Sequence, residues 1–148
     1  MAQTNRYICD VSTSSRMRAV ASSNTSLEKR IRHVLNSLRV NFQANRRELP
    51  GCPDFVFPRR KKIIMVHGCF WHRHRNCPRA SMPRKNMKLW ALKFERTVRR
   101  DRRNLRDLKA AGWSVLILWE CQLGDDRKLR AGIDAFLRNI RQTCPRRV

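Results

Sequence analysis

The chain has too little acid to balance its base. Asp and Glu number 11 among 148 residues, against 34 Lys and Arg, for a formal charge of +23. A surplus of that size repels itself unless a polyanion is the usual neighbour, and nucleic acid is the leading partner. Missing too is any segment approaching the roughly 18 to 20 apolar residues of a membrane span, or a lipid-anchor signal beside a basic amphipathic helix. A membrane is therefore not expected as the partner. The opening stretch MAQTNRYICDVSTSSRMRAV contains no apolar signal core and no small-residue cleavage site, so a cytoplasmic protein is expected. Internal repeats and low-complexity tracts are absent. The length suits one domain whose core needs no disulfide staples. Six cysteines, at 9, 52, 69, 77, 121 and 144, could pair as three disulfides, but a reducing compartment disfavours this and favours metal ligation for any Cys near His.

Residues 1–24 are polar, Ser-rich and basic with little periodicity, and read as an arm that orders on a partner. Residues 25–148 read as the folded domain. TSLEKRIRHVLNSL opens with a candidate capping box, Thr25 and Glu28, and puts Leu27, Ile31, Val34, Leu35 and Leu38 on one helical face. VNFQA, DFVF and KKIIMV are strand-like, with LPGCP as a turn and PRRKK as a hairpin loop. A helix over about residues 86–110 follows, with Met87, Trp90, Phe94, Val98, Leu105 and Leu108 as its apolar stripe and Lys and Arg crowding the other side. WSVLILWE is apolar enough for a strand buried on both faces. Leu129, Ile133, Phe136, Leu137 and Ile140 mark a last helix. Helix, three strands, helix, strand, helix predicts an α/β layer with a mixed sheet.

The chemistry concentrates in VHGCFWHRHRNC, Val66 to Cys77, which holds three His, two Cys, a Phe and a Trp at the end of the KKIIMV strand. Cys69, His74 and Cys77 follow a Cys-x4-His-x2-Cys spacing, which supplies three soft ligands from one loop. Asp54, in PGCPDFVF, is by itself an ordinary turn carboxylate. Hairpin pairing of its strand with KKIIMV, however, can bring it to the His67–His72 segment. A carboxylate beside imidazoles in a basic field is what phosphodiester hydrolysis requires, an oxygen ligand for Mg²⁺ and a base for water.

The ordered series SSRMRAV, SLEKRIR, LPGCPDFVF, VHGCFWHRHRNC, NMKLWALKFERTVRRDRRN and LKAAGWSVLILWEC resembles the very-short-patch repair DNA mismatch endonucleases, the Vsr family, over about residues 14–123. HGCFWH and WEC are its most specific parts. The resemblance implies a restriction-endonuclease-like fold, a mixed sheet flanked by helices with a structural zinc site. It also implies a Mg²⁺-dependent nick in one strand of double-stranded DNA at a T:G mismatch left by 5-methylcytosine deamination, in a bacterial, nucleoid-associated setting. Position by position, Asp54 matches the Mg²⁺ ligand, with the Val66 backbone carbonyl beside it; this chain has Val66 where members commonly carry Thr. His72 matches the general base, His67 a histidine that orients water or a phosphate oxygen, and Glu28 a helix-borne acid at the same site. Cys69, His74, Cys77 and Cys121 match the zinc ligands. Phe70, Trp71 and Trp90 match a wedge between base pairs, Met17 an arm residue entering the opposite groove, and Arg16, Arg18 and Lys93 DNA contacts. Cooperation with the mismatch-repair protein MutL and a monomeric state complete the expectations. Two rival readings are a restriction-type nuclease of different target and a non-catalytic zinc DNA-binding module.

Overall fold

A computed structural model describes residues 26–139. The arm over 1–24, with Arg16, Met17 and Arg18, lies outside the described residues, as do Thr25, Cys9 and Cys144. Helix α1 (Ser26–Ser37) precedes strands β1 (Gln43–Ala44), β2 (Phe55–Phe57) and β3 (Lys62–His67); then come helix α2 (Met87–Ala110), strand β4 (Ser114–Trp119) and helix α3 (Asp126–Arg138). This is the element order anticipated from periodicity. The four strands form one mixed sheet in the order β1-β2-β3-β4, antiparallel except for the parallel pair β3 and β4. Placing α2 between those two strands supplies the long connection that a parallel pair needs.

Alternation along the strands sorts side chains to two cores. On one face Phe55, Phe57, Ile64 and Leu118 meet Ile31, Val34 and Leu35 of α1 and Leu129, Ile133 and Leu137 of α3. On the other, Val56 and Ile63 pack with Leu108 of α2, flanked by Met65, Trp113 and Val115. Lys62, the first residue of β3, is buried. Its Nζ donates to the carbonyls of Phe136, Leu137 and Asn139 at 2.5, 3.0 and 2.6 Å, so a cation closes the negative end of α3.

Two sequence expectations differ from the structure. β4 is not buried on both faces: five of its six residues are half-buried and only Leu118 is buried, because the strand lies at the sheet's edge and its flanking face is incompletely covered. The apolar stripe of α2 also loses its first member. Phe94 and Leu108 are buried and Trp90, Val98 and Leu105 half-buried, while Met87 is 56 % exposed; Leu89 and Leu92, off the stripe, are exposed as well. A helix of 24 residues runs about 36 Å, and six-residue strands cover only about 20 Å. The first turns of α2 therefore overhang the sheet.

Candidate active site and metal centre

The turn before β2 delivers Asp54. Gly51 takes a left-handed φ of +78°, and a Cβ there would come within 2.9 Å of Asn104 Nδ2 on α2. Glycine is thus required both for the turn and for the close approach. The antiparallel register, Phe55 opposite Ile64, then sets Asp54 beside the end of β3, where its Oδ2 accepts the Val66 N–H at 2.8 Å. The contact is through the Val66 amide, so Asp54 and the backbone of Val66 are neighbours at the end of β3. Glu28 is buried, 5 % exposed, in the first turn of α1. Burial pushes the Asp54 carboxyl up to about 6, and the neighbouring Glu28 charge adds to the rise; the Val66 amide and His72 act in the opposite sense. A partly buried carboxylate whose charge is opposed by a neighbouring acid is a hard-oxygen donor that suits a divalent cation.

His67 ends β3, and its ring lies parallel to that of His72 with centroids 3.8 Å apart. Burial drives His67 down to about 3, with the His72 charge second, so the imidazole is neutral at physiological pH. Its Nδ1 is buried with no hydrogen-bond partner, which fits a group that waits for a water or a phosphate oxygen. His72 Nδ1 lies 2.6 Å from Asp101 Oδ2 on α2. Because an ionised carboxylate only accepts, Nδ1 is the donor and Nε2 keeps a free lone pair, the form a general base requires. Burial works to raise Asp101, but the hydrogen bond from His72 and its charge outweigh burial and hold the carboxyl below its ordinary range. His67, His72 and Asp101 line a cavity of about 150 Å³ walled by Met65, Leu105 and Trp119. Asp101 escaped the sequence reading. Its signal was there, as the only acid in the run RRDRR, 99–103.

The thiol cluster assembles alongside. Cys69, His74, Cys77 and Cys121 each present a donor atom within 4.8 Å of the others; His74 Nδ1 is 3.6 Å from Cys69 Sγ and 3.3 Å from Cys121 Sγ. The loop is wound tightly, with His74 N–H bonded to the Cys69 carbonyl at 3.0 Å and left-handed φ at Arg73 and Asn76. Cys121 arrives from the short turn Glu120–Gln122 that ends β4. Burial pushes Cys69 up to about 11; for Cys77 burial acts the same way, but the backbone N–H of Arg79 and the neighbouring thiols reverse it and lower the pKa. Three free thiols and an imidazole in a closed set of four are the donor chemistry of a structural zinc site. Trp119 stands between the clusters, stacked on His74 at 4.1 Å and edge-on to His67 at 5.3 Å. Cys52, half-buried in the turn before β2, lies outside the cluster.

Phe70, Trp71 and Trp90 come together. Phe70 is 5.2 Å from Trp71 and 5.4 Å from Trp90, all three are half-buried, and buried Phe94 supports them at 5.2 to 5.4 Å. Lys93 Nζ lies 5.3 Å from the Trp90 ring centre. With exposed Met82, Met87, Leu89 and Leu92 nearby in sequence, this overhanging end of α2 offers apolar surface amid positive charge.

The family model described as "DNA mismatch endonuclease Vsr" matches residues 8–79. The chain is 41 % identical over 124 residues to "Type II nicking enzyme V.XorIIP" of Xanthomonas oryzae pv. oryzae, covering 84 % of this chain and 88 % of that one. It is 40 % identical over 116 residues to "DNA mismatch endonuclease Vsr" of Escherichia coli, covering 78 % and 74 %. A third relative, "Type II nicking enzyme V.NmeAIP" of Neisseria meningitidis, is 29 % identical over 125 residues, covering 84 % and 89 %.

Proposed function

From the premise that this chain belongs to the Vsr family of DNA mismatch endonucleases, and is therefore a DNA endonuclease of the nicking type, we propose that it nicks one strand of duplex DNA at a T:G mismatch and so starts very-short-patch repair. The observation that carries this reading is the meeting, at one end of β2 and β3, of two carboxylates, Glu28 and Asp54, with a base held by a third, His72 on Asp101. Asp54 and the Val66 carbonyl, with Glu28 alongside, would hold Mg²⁺, which when bound supplies Lewis-acid stabilisation of the charge that develops on the phosphoryl oxygens. His72 Nε2 takes the proton of the attacking water while Asp101 stabilises the imidazolium that results. His67, neutral and with an unpartnered ring nitrogen, orients that water or a phosphate oxygen. The oxygen–phosphorus bond forms in line, the bond to the 3′ oxygen breaks, that oxygen takes a proton from solvent, and 5′-phosphate and 3′-hydroxyl ends remain.

Cys69, His74, Cys77 and Cys121 would hold Zn²⁺ as a staple that fixes the loop bearing His72. Phe70, Trp71 and Trp90 would enter the base stack. Unstacking costs a few kcal/mol and least beside a mispair, so the wedge turns weak pairing into selectivity. Lys93 would contact the backbone, with Arg16, Met17 and Arg18 of the arm reaching the other groove. The proposal includes a monomer that acts in the bacterial cytoplasm with a MutL-type protein.

A second reading keeps the nick and changes the target, and the relatives named as Type II nicking enzymes favour it. Labelled duplexes with T:G, other mispairs or matched bases, incubated with Mg²⁺, separate the two. Nicking confined to T:G supports repair, equal nicking of matched DNA supports the second reading, and tight binding without any nick refutes both.

A further inference from the structure

The opposite end of the sheet carries a second basic hollow that the nicking chemistry does not use. The short turn Pro58–Arg60 joins β2 to β3 at the Lys62 end, and the length of β3 from Lys62 to His67, about 16 Å at strand spacing, separates it from the histidines. A cavity of about 430 Å³ opens there, rimmed by Arg39, Asn41, Arg59 and Arg60 and walled by Phe42 and Phe57. Arg39 and Arg59 are exposed, and neither enters any of the nine ion pairs found among the described residues. Arg60 is already engaged, donating to the Leu137 carbonyl at 3.1 Å next to Lys62. The end of α3 is thus satisfied, and it makes no demand on the other two guanidinium groups.

The rim is also held in place. Arg39 sits in a left-handed turn at φ 53° with its N–H on the Asn36 carbonyl at 3.0 Å, and Lys61, at φ 51°, closes the Pro58–Arg60 turn by donating to the Pro58 carbonyl at 3.2 Å. Phe42 is braced edge-on against Phe55 at 5.3 Å. Cations around one hollow with no ion pair among the described residues repel one another, and an anion between them removes that repulsion. The space is larger than one phosphate needs and falls in the range of small-molecule sites, and half-buried Phe42, with the Arg32 guanidinium 5.4 Å from its ring centre, gives it an apolar side for a ring. Phosphate and ring together describe a nucleotide.

We propose that this hollow binds one nucleotide, its phosphate on Arg39 and Arg59 and its base against Phe42, separately from the strand cut at Asp54. The nucleotide could be free or part of a single strand, and the test distinguishes them. Calorimetric titrations of the zinc-loaded full chain with thymidine monophosphate, thymidine and inorganic phosphate, at roughly 0.2 M salt to suppress non-specific attraction, should give at least about tenfold tighter binding for the nucleotide than for either fragment. The double variant Arg39→Ala/Arg59→Ala should lose that preference at an unchanged melting temperature, since neither side chain makes a hydrogen bond or ion pair among the described residues, whereas Asp54→Asn should keep it. Displacement of the nucleotide by a five-residue thymidine strand assigns the site to strands, and failure to displace assigns it to free nucleotide. Phosphate binding as well as the nucleotide, or the double variant binding it unchanged, would overturn the proposal.

Discussion

Two histidine clusters grow from one twelve-residue stretch and differ in everything but sequence position. His67 and His72 face carboxylates and an open cavity; His74, two residues on, is enclosed by thiols. The first cluster keeps unsatisfied or strained groups, an orphaned ring nitrogen and a crowded acid, as a site of chemistry does. The second uses all four donors on one another and leaves nothing free for substrate. What surrounds an imidazole, more than its spacing in the chain, decides whether it reacts or holds, and Trp119, touching both, is the wall that keeps the two environments apart.

The largest expected effect separates the clusters outright. His72→Ala should lower the nicking rate by roughly 10³-fold with duplex affinity and zinc content unchanged, and Asp101→Asn, which turns the imidazole, by roughly 10²-fold. Single-turnover assays measure both, and a fully active His72→Ala enzyme would remove it from the role of base. Next, Cys121→Ser should lower bound zinc and melting temperature together, by roughly 10 °C, with plasma emission spectrometry as the metal readout. Undiminished zinc there would mean that the thiol cluster is not the ligand set.

Acid sharpens the contrast inside the first cluster. Asp54 titrates near 6 folded against 3.8 unfolded, so the native state holds the extra proton and gains stability as pH falls from 6 to 4. His67 titrates near 3 folded against 6.5 unfolded, so the unfolded state takes the proton first and stability is lost as pH falls from 6.5 towards 3. In metal-free protein the two slopes oppose. Asp54→Asn should therefore steepen the acid loss and His67→Gln should reverse it, each by a few kcal/mol over the window, as denaturant titrations would reveal; parallel slopes in both variants would contradict the opposition. The smallest effect is at the wedge. Lys93→Ala should reduce the salt dependence of duplex binding by about one phosphate, leaving the nicking rate on bound DNA intact.

Much of the architecture was legible because apolar spacing is local. The α1 face, the PRRKK hairpin, the long basic helix and the closing helix all follow from residues a few positions apart. Burial of β4 was overestimated, because apolar content says nothing about whether a strand is central or at an edge. The stripe of α2 looked uniform, although Met87 at its start is exposed. Asp101 was hidden for a related reason: in RRDRR it resembles a solvated helix face, and only the packing of α2 over the end of β3 turns it inward to His72.

By itself, the sequence determined the alternation that makes the sheet, the soft ligands clustered at Cys69, His74 and Cys77, and the excess of positive charge that calls for nucleic acid. Each is a property of neighbouring residues or of their sum. Tertiary structure alone decided which acids stand together, since Glu28, Asp54 and Asp101 come from a helix, a turn and another helix across 73 positions (101 − 28). Glu28 raises the cost of charge on Asp54 and Asp101 pairs with His72 only because the packing of helices on the sheet brings these distant segments to one end of it, and contacts of that range are not written in any local pattern.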